Sequence, residues 1–351
     1  MKKVFVGLSG GVDSAVSAAL LKERGYDVTC VFIKIWRQEF IECTWKEDRL
    51  DAMRIAVALD LPFMEIDLSE DYKRSVIDPM IAGYKKGITP NPDILCNRSI
   101  KFGSFLRFAK DNDADFIATG HYARIGRRKG LELLRGNDKA KDQSYFLYLL
   151  DESDLSSTIF PVGGLVKSEV RQLAHKFKLP VATKPDSQGL CFVGDVTMKD
   201  FLGRYIKLEK GDVLNSENKV IGQHDGAALY TIGQRHGFTV ESHEAVGEPY
   251  YVIESDVKRN VIWVSRDVSV GYSKKVIIEK MHWISKLTNL PITVDVQARY
   301  REKPRSAVLS HELNKIVVQF DKPHLVSPGQ SLVLYDGDKC LGGGVVSELI
   351  K

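Results

Sequence analysis

No stretch of this chain approaches the roughly 20 consecutive apolar residues of a membrane-spanning helix, which excludes an integral helical membrane protein. Cysteine is scarce and scattered, with five residues at positions 30, 43, 96, 191 and 340. An odd, dispersed set of this kind is no secreted disulfide framework, and in a reducing compartment any disulfide formed would be transient and catalytic. Cys43 has no CxxC or histidine spacing around it, so it is read as structural and not as a zinc ligand. The glycine patterns GxxxxGK[ST] and GxGxxG are both missing at the N-terminal turn, which argues against a Walker loop and a nicotinamide site. Internal repeats and low-complexity segments are absent as well. The opening MKKVFVGLSGG enters a strand at once and leaves no room for a signal peptide, so a cytoplasmic protein without membrane contact is expected. Neither sign of charge dominates: 50 Lys and Arg face 46 Asp and Glu, a net of +4 that permits a nucleic-acid partner without demanding one.

The chain does have length, and 351 residues make two or three domains the natural expectation. KVFVGL (3–8) reads as a strand, and DSAVSAALLKERG as a helix stopped by Gly25. DVTCVFIKIW, a helix-like EDRLDAMRIAVALD, FMEIDL, a helical region to Tyr84, SIKFGSFLRFAKDN and DFIATG continue the alternation. Strands alternating with helices of this length predict an α/β fold with a parallel sheet covered on both faces. Beyond about residue 260 the pattern becomes strands and turns (NVIWVSRDV, KKVIIEKMHWI, PITVDVQARYR, NKIVVQF, QSLVLYDGD), which suggests a small β-barrel. The expected division is 1–199 for the α/β domain, 200–272 for a connecting domain of mixed structure, and 273–351 for the barrel.

Two short stretches carry chemistry. In GLSGGVDS (7–14) the glycines let the backbone approach a ligand, and a helix N-terminus offers its N–H groups to an anion, so phosphate is the expected ligand. NPDILCN (91–97) sets a carboxylate and a thiol three residues apart behind two prolines that restrict the backbone. Packing is the ordinary work of a buried cysteine, and on that stretch alone Cys96 reads as a small apolar residue opening a helix.

SGGVDS resembles the pyrophosphate loop of the ATP pyrophosphatases, which split ATP between the α- and β-phosphates and adenylate a substrate oxygen. GITPNPDILCNRSIKF, TGHYAR, KDQSYFL, DSQGLCFVG, TIGQRHG and ARYR, in that order, resemble the tRNA-specific 2-thiouridylase family over almost the whole chain. The resemblance implies replacement of the 2-oxygen of the wobble uridine by sulfur, in tRNAs such as those for lysine, glutamate and glutamine. The uracil 2-carbonyl is a poor electrophile, and adenylation turns its oxygen into an AMP leaving group. The family's persulfide carrier maps to Cys191 and its partner nucleophile to Cys96, with a transient Cys96–Cys191 disulfide. Asp93 is implied as general acid or base beside them, both it and Cys96 facing the flipped base.

The implied ATP site comprises Gly7, Leu8, Ser9, Gly10, Gly11, Val12, Asp13 and Ser14, with the backbone near Ile33 and with Gly120. The family often has methionine where this chain has Ile33, which a backbone contact tolerates. Asn91, Pro92 and Asp93 are expected around the target base, and Lys141, Asp142, Gln143, Arg299 and Tyr300 against tRNA. Mg²⁺ is implied by the ATP chemistry, with Asp13 a candidate ligand or phosphate-positioning group. His121 either shapes the ATP site or is a hydrogen-bonded structural histidine. Cys30 and Cys340 read as packing residues. A cysteine desulfurase, directly or through a relay, is the implied sulfur donor. Rival readings are a nitrogen-transferring pyrophosphatase, an RNA-binding protein with a degenerate loop, and an enzyme holding an iron–sulfur cluster on Cys43, Cys96 and Cys191.

Overall fold

A computed structural model describes residues 1–37, 45–128, 130–186, 196–241, 247–285, 290–312 and 315–350. Cys43 and Cys191 lie outside the described residues. Strands β1 (Lys3–Gly7), β2 (Asp27–Lys34), β3 (Phe63–Asp67) and β4 (Phe116–Ala118) form a parallel sheet in the order β3–β2–β1–β4, with Thr158–Ile159 added beside β4. Successive side chains of a strand point to opposite faces, and both faces here are buried. Val4 and Val6 pack with Val16, Leu20, Val170 and Ala174 on one face, while Phe5 packs with Val76, Phe105 and Ile117 on the other.

Helix α1 (Val12–Glu23) is buried along most of its length, and Gly25, at φ +78°, ends it as expected. Helix α2 (Trp45–Ala58) covers the same side. Two longer helical stretches, α3 (69–85) and α4 (92–111), cover the opposite face, each interrupted by a π-helical turn, at Lys73–Ile77 and Asn97–Ser104. The second turn begins directly after Cys96.

The middle unit, expected to be mixed, is built on a five-stranded sheet spanning Gly211–Leu214, Val220–His224, Phe238–Val240, Tyr251–Asp256 and Val261–Ser265, with short 3₁₀ turns. NVIWVSRDV supplies a strand to this sheet and not to the barrel. Six strands from Ser273–Trp283 to Lys339–Ile350 close a barrel, because the first pairs with both Lys315–His324 and Lys339–Ile350. A hairpin of the first unit, Ala123–Gly126 and Glu132–Arg135, leaves the parallel sheet and pairs with the last barrel strand at Lys339 and Cys340. The first and last units of the expected division thus share one hydrogen-bonded sheet.

Alternation in Ser331–Asp336 explains the docking. Leu332 and Leu334 fill the barrel, while Val333 and Tyr335 join the core of the first unit. Among the described residues no helix is long and apolar enough to cross a membrane.

Candidate active site

Ligands of open parallel sheets bind outside the carboxyl ends of the strands, where the strand order reverses. Here that point lies between β1 and β4. The Gly7–Ser14 loop leaves β1, Thr119 to His121 leave β4, and Ile33 closes β2, so the whole expected ATP set is gathered on one edge. Ile33 lies over Gly7. Gly10 takes φ +76°, and a Cβ there would sit 2.4 Å from the Asp48 carbonyl. A Cβ on Gly120 would stand 2.7 Å from Ser14 N, so only glycine lets β4 press this closely on the helix terminus.

Leu8 and Val12 point into the core, which leaves their backbone to face a ligand. Ser14 Oγ accepts from Ser9 N at 3.2 Å and donates to the Gly11 carbonyl at 3.1 Å, fixing the loop. No side chain caps α1 at Gly11, so its first N–H groups are presented to an anion. Asp13 Oδ1 accepts from Tyr122 Oη at 2.7 Å and from Lys167 Nζ at 2.6 Å. Lys184 Nζ donates to the Gly10 carbonyl at 3.2 Å and pairs with Asp48 and Asp51. Among the described residues no three side chains are grouped to hold a metal. Asp13 is one carboxylate at the phosphate end, which suits Mg²⁺ carried largely by the nucleotide's own oxygens.

A second concavity of ≈ 360 Å³ opens where α4 meets the barrel. Asn91, Pro92, Asp93, Arg299 and Tyr300 all line it, joined by Phe146 and Gln330. Residues more than 200 positions apart are thus brought together. Asn91 caps α4, its Oδ1 accepting from Asp93 N at 3.1 Å and Ile94 N at 3.3 Å, with Pro92 at the first helical position. Burial raises the Asp93 carboxyl above its ordinary range, and Lys101 opposes this in part. Phe146 and Tyr300 pack with ring centroids 4.6 Å apart. Glu302 Oε2 accepts from Ala298 N and Arg299 N and so holds their turn. Arg299 Nη2 donates to the Ile232 carbonyl of the TIGQRHG loop at 2.7 Å. Arg299 Nε and Gln330 Oε1 are buried without a protein partner among the described residues, a state that a bound ligand would relieve.

Cys96 is only 5% exposed and belongs to the hydrophobic core. Three residues advance a helix by roughly 300°, so the thiol and the Asp93 carboxylate stand only about 60° apart on one face, yet Asp93 lines the cleft and the buried Cys96 does not. Lys141, Asp142 and Gln143 do not line this cleft. The Asp142 carboxylate is turned inward, accepting from Arg135 Nη1 and Gly136 N at 2.9 Å and from Ser144. Arg135 stacks 3.4 Å from the Tyr335 ring centroid, tying this loop to the barrel. Gln143 binds the backbone of Tyr122, and Lys141 pairs with Asp186. The KDQ segment therefore bridges the phosphate end and the barrel. His121 is buried, with Nδ1 2.7 Å from Thr119 Oγ1, and burial keeps its ring neutral. Cys30 and Cys340 are pushed up to about 12 by burial and stay protonated.

Sequence reasoning missed Lys167, Arg171, Lys184, Asp186, Gln330 and Glu302. Each is a single polar residue outside the resembling motifs or at their edge, and only folding places it.

Family models match consecutive parts of the chain: a tRNA methyl transferase HUP domain over 2–195, a tRNA methyl transferase PRC-barrel domain over 199–266, and an aminomethyltransferase β-barrel domain over 273–346. The tRNA-specific 2-thiouridylase MnmA of Bacillus subtilis is 40% identical over 358 residues, covering 99% of this chain and 96% of that protein. The protein of the same name from Vibrio cholerae is 43% identical over 361 residues, covering 99% and 97%. That from Akkermansia muciniphila is 43% identical over 353 residues, covering 98% of each.

Proposed function

The chain belongs to the tRNA-specific 2-thiouridylase family, and from that premise we propose that it thiolates the wobble uridine through an adenylated intermediate. It is a tRNA-uridine 2-sulfurtransferase of the ATP-using loop class. The observation that carries the finer mechanism is the cleft uniting Asp93 with Arg299, Tyr300 and Phe146, open to a base and lined by unpartnered polar atoms. The target uracil enters between the aromatic rings, having left its stack. Asn91 and Pro92 border it. Arg299 and Tyr300 hold the flanking backbone, and Lys141 and Gln143 hold RNA or nucleotide at the loop, with Asp142 fixing their positions.

Asp93 removes the N3 proton as O2 attacks the α-phosphorus of ATP. The bond from that phosphorus to the β-phosphate oxygen breaks, and pyrophosphate leaves with the electron pair. A raised carboxyl suits this exchange, because its proton affinity is closer to that of the uracil. Asp13 would help hold Mg²⁺ carried with the nucleotide, which would neutralise phosphate charge. The terminal sulfur of a Cys191 persulfide then adds to C2 and AMP departs, leaving a C2–S–S–Cys191 link. The Cys96 thiolate attacks the Cys191 sulfur, releasing the thiocarbonyl and forming a Cys96–Cys191 disulfide. A thiol reductant and a sulfane-sulfur donor, a cysteine desulfurase or its relay, complete the cycle. Because Cys96 is buried, this last attack requires the helix turn after it to open, and a π-helical turn there is a weak point in the backbone ladder.

The test is mass spectrometry of nucleosides from tRNA incubated with enzyme, ATP and a persulfide source. A 2-thiouridine derivative with one AMP and one pyrophosphate per sulfur is expected, and its absence would end this reading.

A further inference from the structure

Three cationic side chains converge on one carboxylate beside the phosphate loop. Asp186 pairs with Lys141 Nζ at 2.6 Å, with Arg171 Nη2 at 2.6 Å and with Lys167 Nζ at 2.9 Å. Lys167 also reaches Asp13 Oδ1 at 2.6 Å, on the first turn of the uncapped helix α1. Two of these cations also have partners other than Asp186, Lys167 through Asp13 and Arg171 through backbone carbonyls. Arg171 Nη1 donates to the Ala182 and Lys184 carbonyls, and Lys167 N donates to Asp138.

Partly exposed ion pairs contribute little to stability, so stability alone is a poor reason for stacking three cations on one acid. Their place gives a better one. The Lys167 side chain is only 16% exposed, and its ammonium reaches Asp13 at the end of the loop where a nucleotide's outer phosphates would leave the helix terminus. Burial by itself would raise the Asp186 carboxyl, yet hydrogen bonds from Lys141 and Lys167 outweigh it and keep the group ionised.

We propose that Lys167, with Arg171 behind it, binds the β- and γ-phosphates of ATP, and that Asp186 is the internal anion these cations hold until the nucleotide displaces it. This rests on the ATP-dependent reading above and assigns to it Lys167 and Arg171, which lie in none of the motifs. As uracil O2 bonds to the α-phosphorus and the bridge to the β-phosphate breaks, the leaving pyrophosphate gains negative charge. The Lys167 ammonium offsets that charge, and no further reactant is required.

Two substitutions move in opposite directions. Lys167→Met should weaken ATP binding at least tenfold and slow tRNA-dependent pyrophosphate release, with Lys167→Arg restoring part of both. Asp186→Asn should tighten ATP binding several-fold, because the phosphates no longer compete with a carboxylate. AMP, which lacks the outer phosphates, should bind all three variants as it binds the wild type. Calorimetry with ATP and with AMP on the full chain reads the ratio directly. Equal changes for ATP and AMP, or an Asp186→Asn enzyme that binds ATP more weakly, would overturn the assignment. The Asp186→Asn result stands even if Lys167→Met fails to fold. A wild-type enzyme that neither binds ATP nor releases pyrophosphate would instead remove the ATP-dependent reading itself.

Discussion

The phosphate loop and the base cleft are made in different ways. The loop is one octet, Gly7–Ser14, whose ligand groups are backbone N–H donors aligned by a strand and a helix adjacent in sequence. The cleft is assembled from α4, the SYFL turn and the barrel, with members from Asn91 to Gln330. The loop is cationic at its rim, through Lys167 and Lys184, while the cleft is aromatic with a single half-buried acid. On the proposed reading, the contrast teaches that anion binding would be a local property of the backbone, whereas base recognition would depend on how the first unit and the barrel dock.

Substitutions can break that contrast. The largest effect is expected at Cys96: Cys96→Ser should leave no detectable thiolation yet retain pyrophosphate release, read by nucleoside mass spectrometry beside a phosphate assay. A Cys96→Ser enzyme that thiolates at the normal rate over many turnovers would return Cys96 to plain packing. Asp93→Asn should lower turnover about 10²–10⁴-fold, the usual range for a lost proton-transfer group. Next comes Gly120→Ala, whose methyl would press on Ser14 N and Asp13. Overpacking of that kind costs about 1–3 kcal/mol and should appear as weaker ATP binding with tRNA affinity unchanged. If tRNA binding fell equally, the two ends would not be separable. Arg299→Ala should do the reverse, weakening tRNA binding and reducing its salt slope by about one. The smallest effect belongs to Cys340→Ala, expected to leave turnover unchanged and to cost about 1 kcal/mol of stability in a melting curve.

Asp93 also couples function to stability. Its carboxyl is raised in the fold, so the native state favours the neutral form. Stability from this group is therefore lost as pH rises from the ordinary carboxylate value, about 3.9, through the raised folded value. Asp93→Asn removes that penalty. Melting temperatures should rise relative to the wild type above this window and converge with it below, while turnover falls. A variant less stable than the wild type at neutral pH would show that Asp93 is held in its charged form.

Much of this was legible in order along the chain. KVFVGLSGGVDS announced a strand, a tight turn and a helix terminus, because that geometry is set by neighbours in sequence. NPDILC announced a helix start behind restricting prolines, while the cap itself, Asn91 accepting from Asp93 and Ile94, was not read from it. Four of the five short strands of the middle unit escaped because runs such as GDVL and VIGQH have too few residues to show a period, and the fifth, in NVIWVSRDV, was assigned to the barrel. The hairpin at 123–135 was invisible for another reason: its partner strand is some 200 residues away at Lys339 and Cys340.

What the sequence by itself determined is the set of reactive groups and their local backbone: the glycine-rich turn, the proline-fixed helix start, and the carboxylate and thiol three residues apart. Only the tertiary structure decided that Asp93 opens to a cleft while Cys96 turns into the core, that Asp142 is an inward anchor, and that Lys141, Lys167 and Arg171 share Asp186. Helical and turn geometry follow from covalent constraints on adjacent residues. Which side chains meet across a fold follows from how apolar faces pack, and that is settled by the whole chain at once.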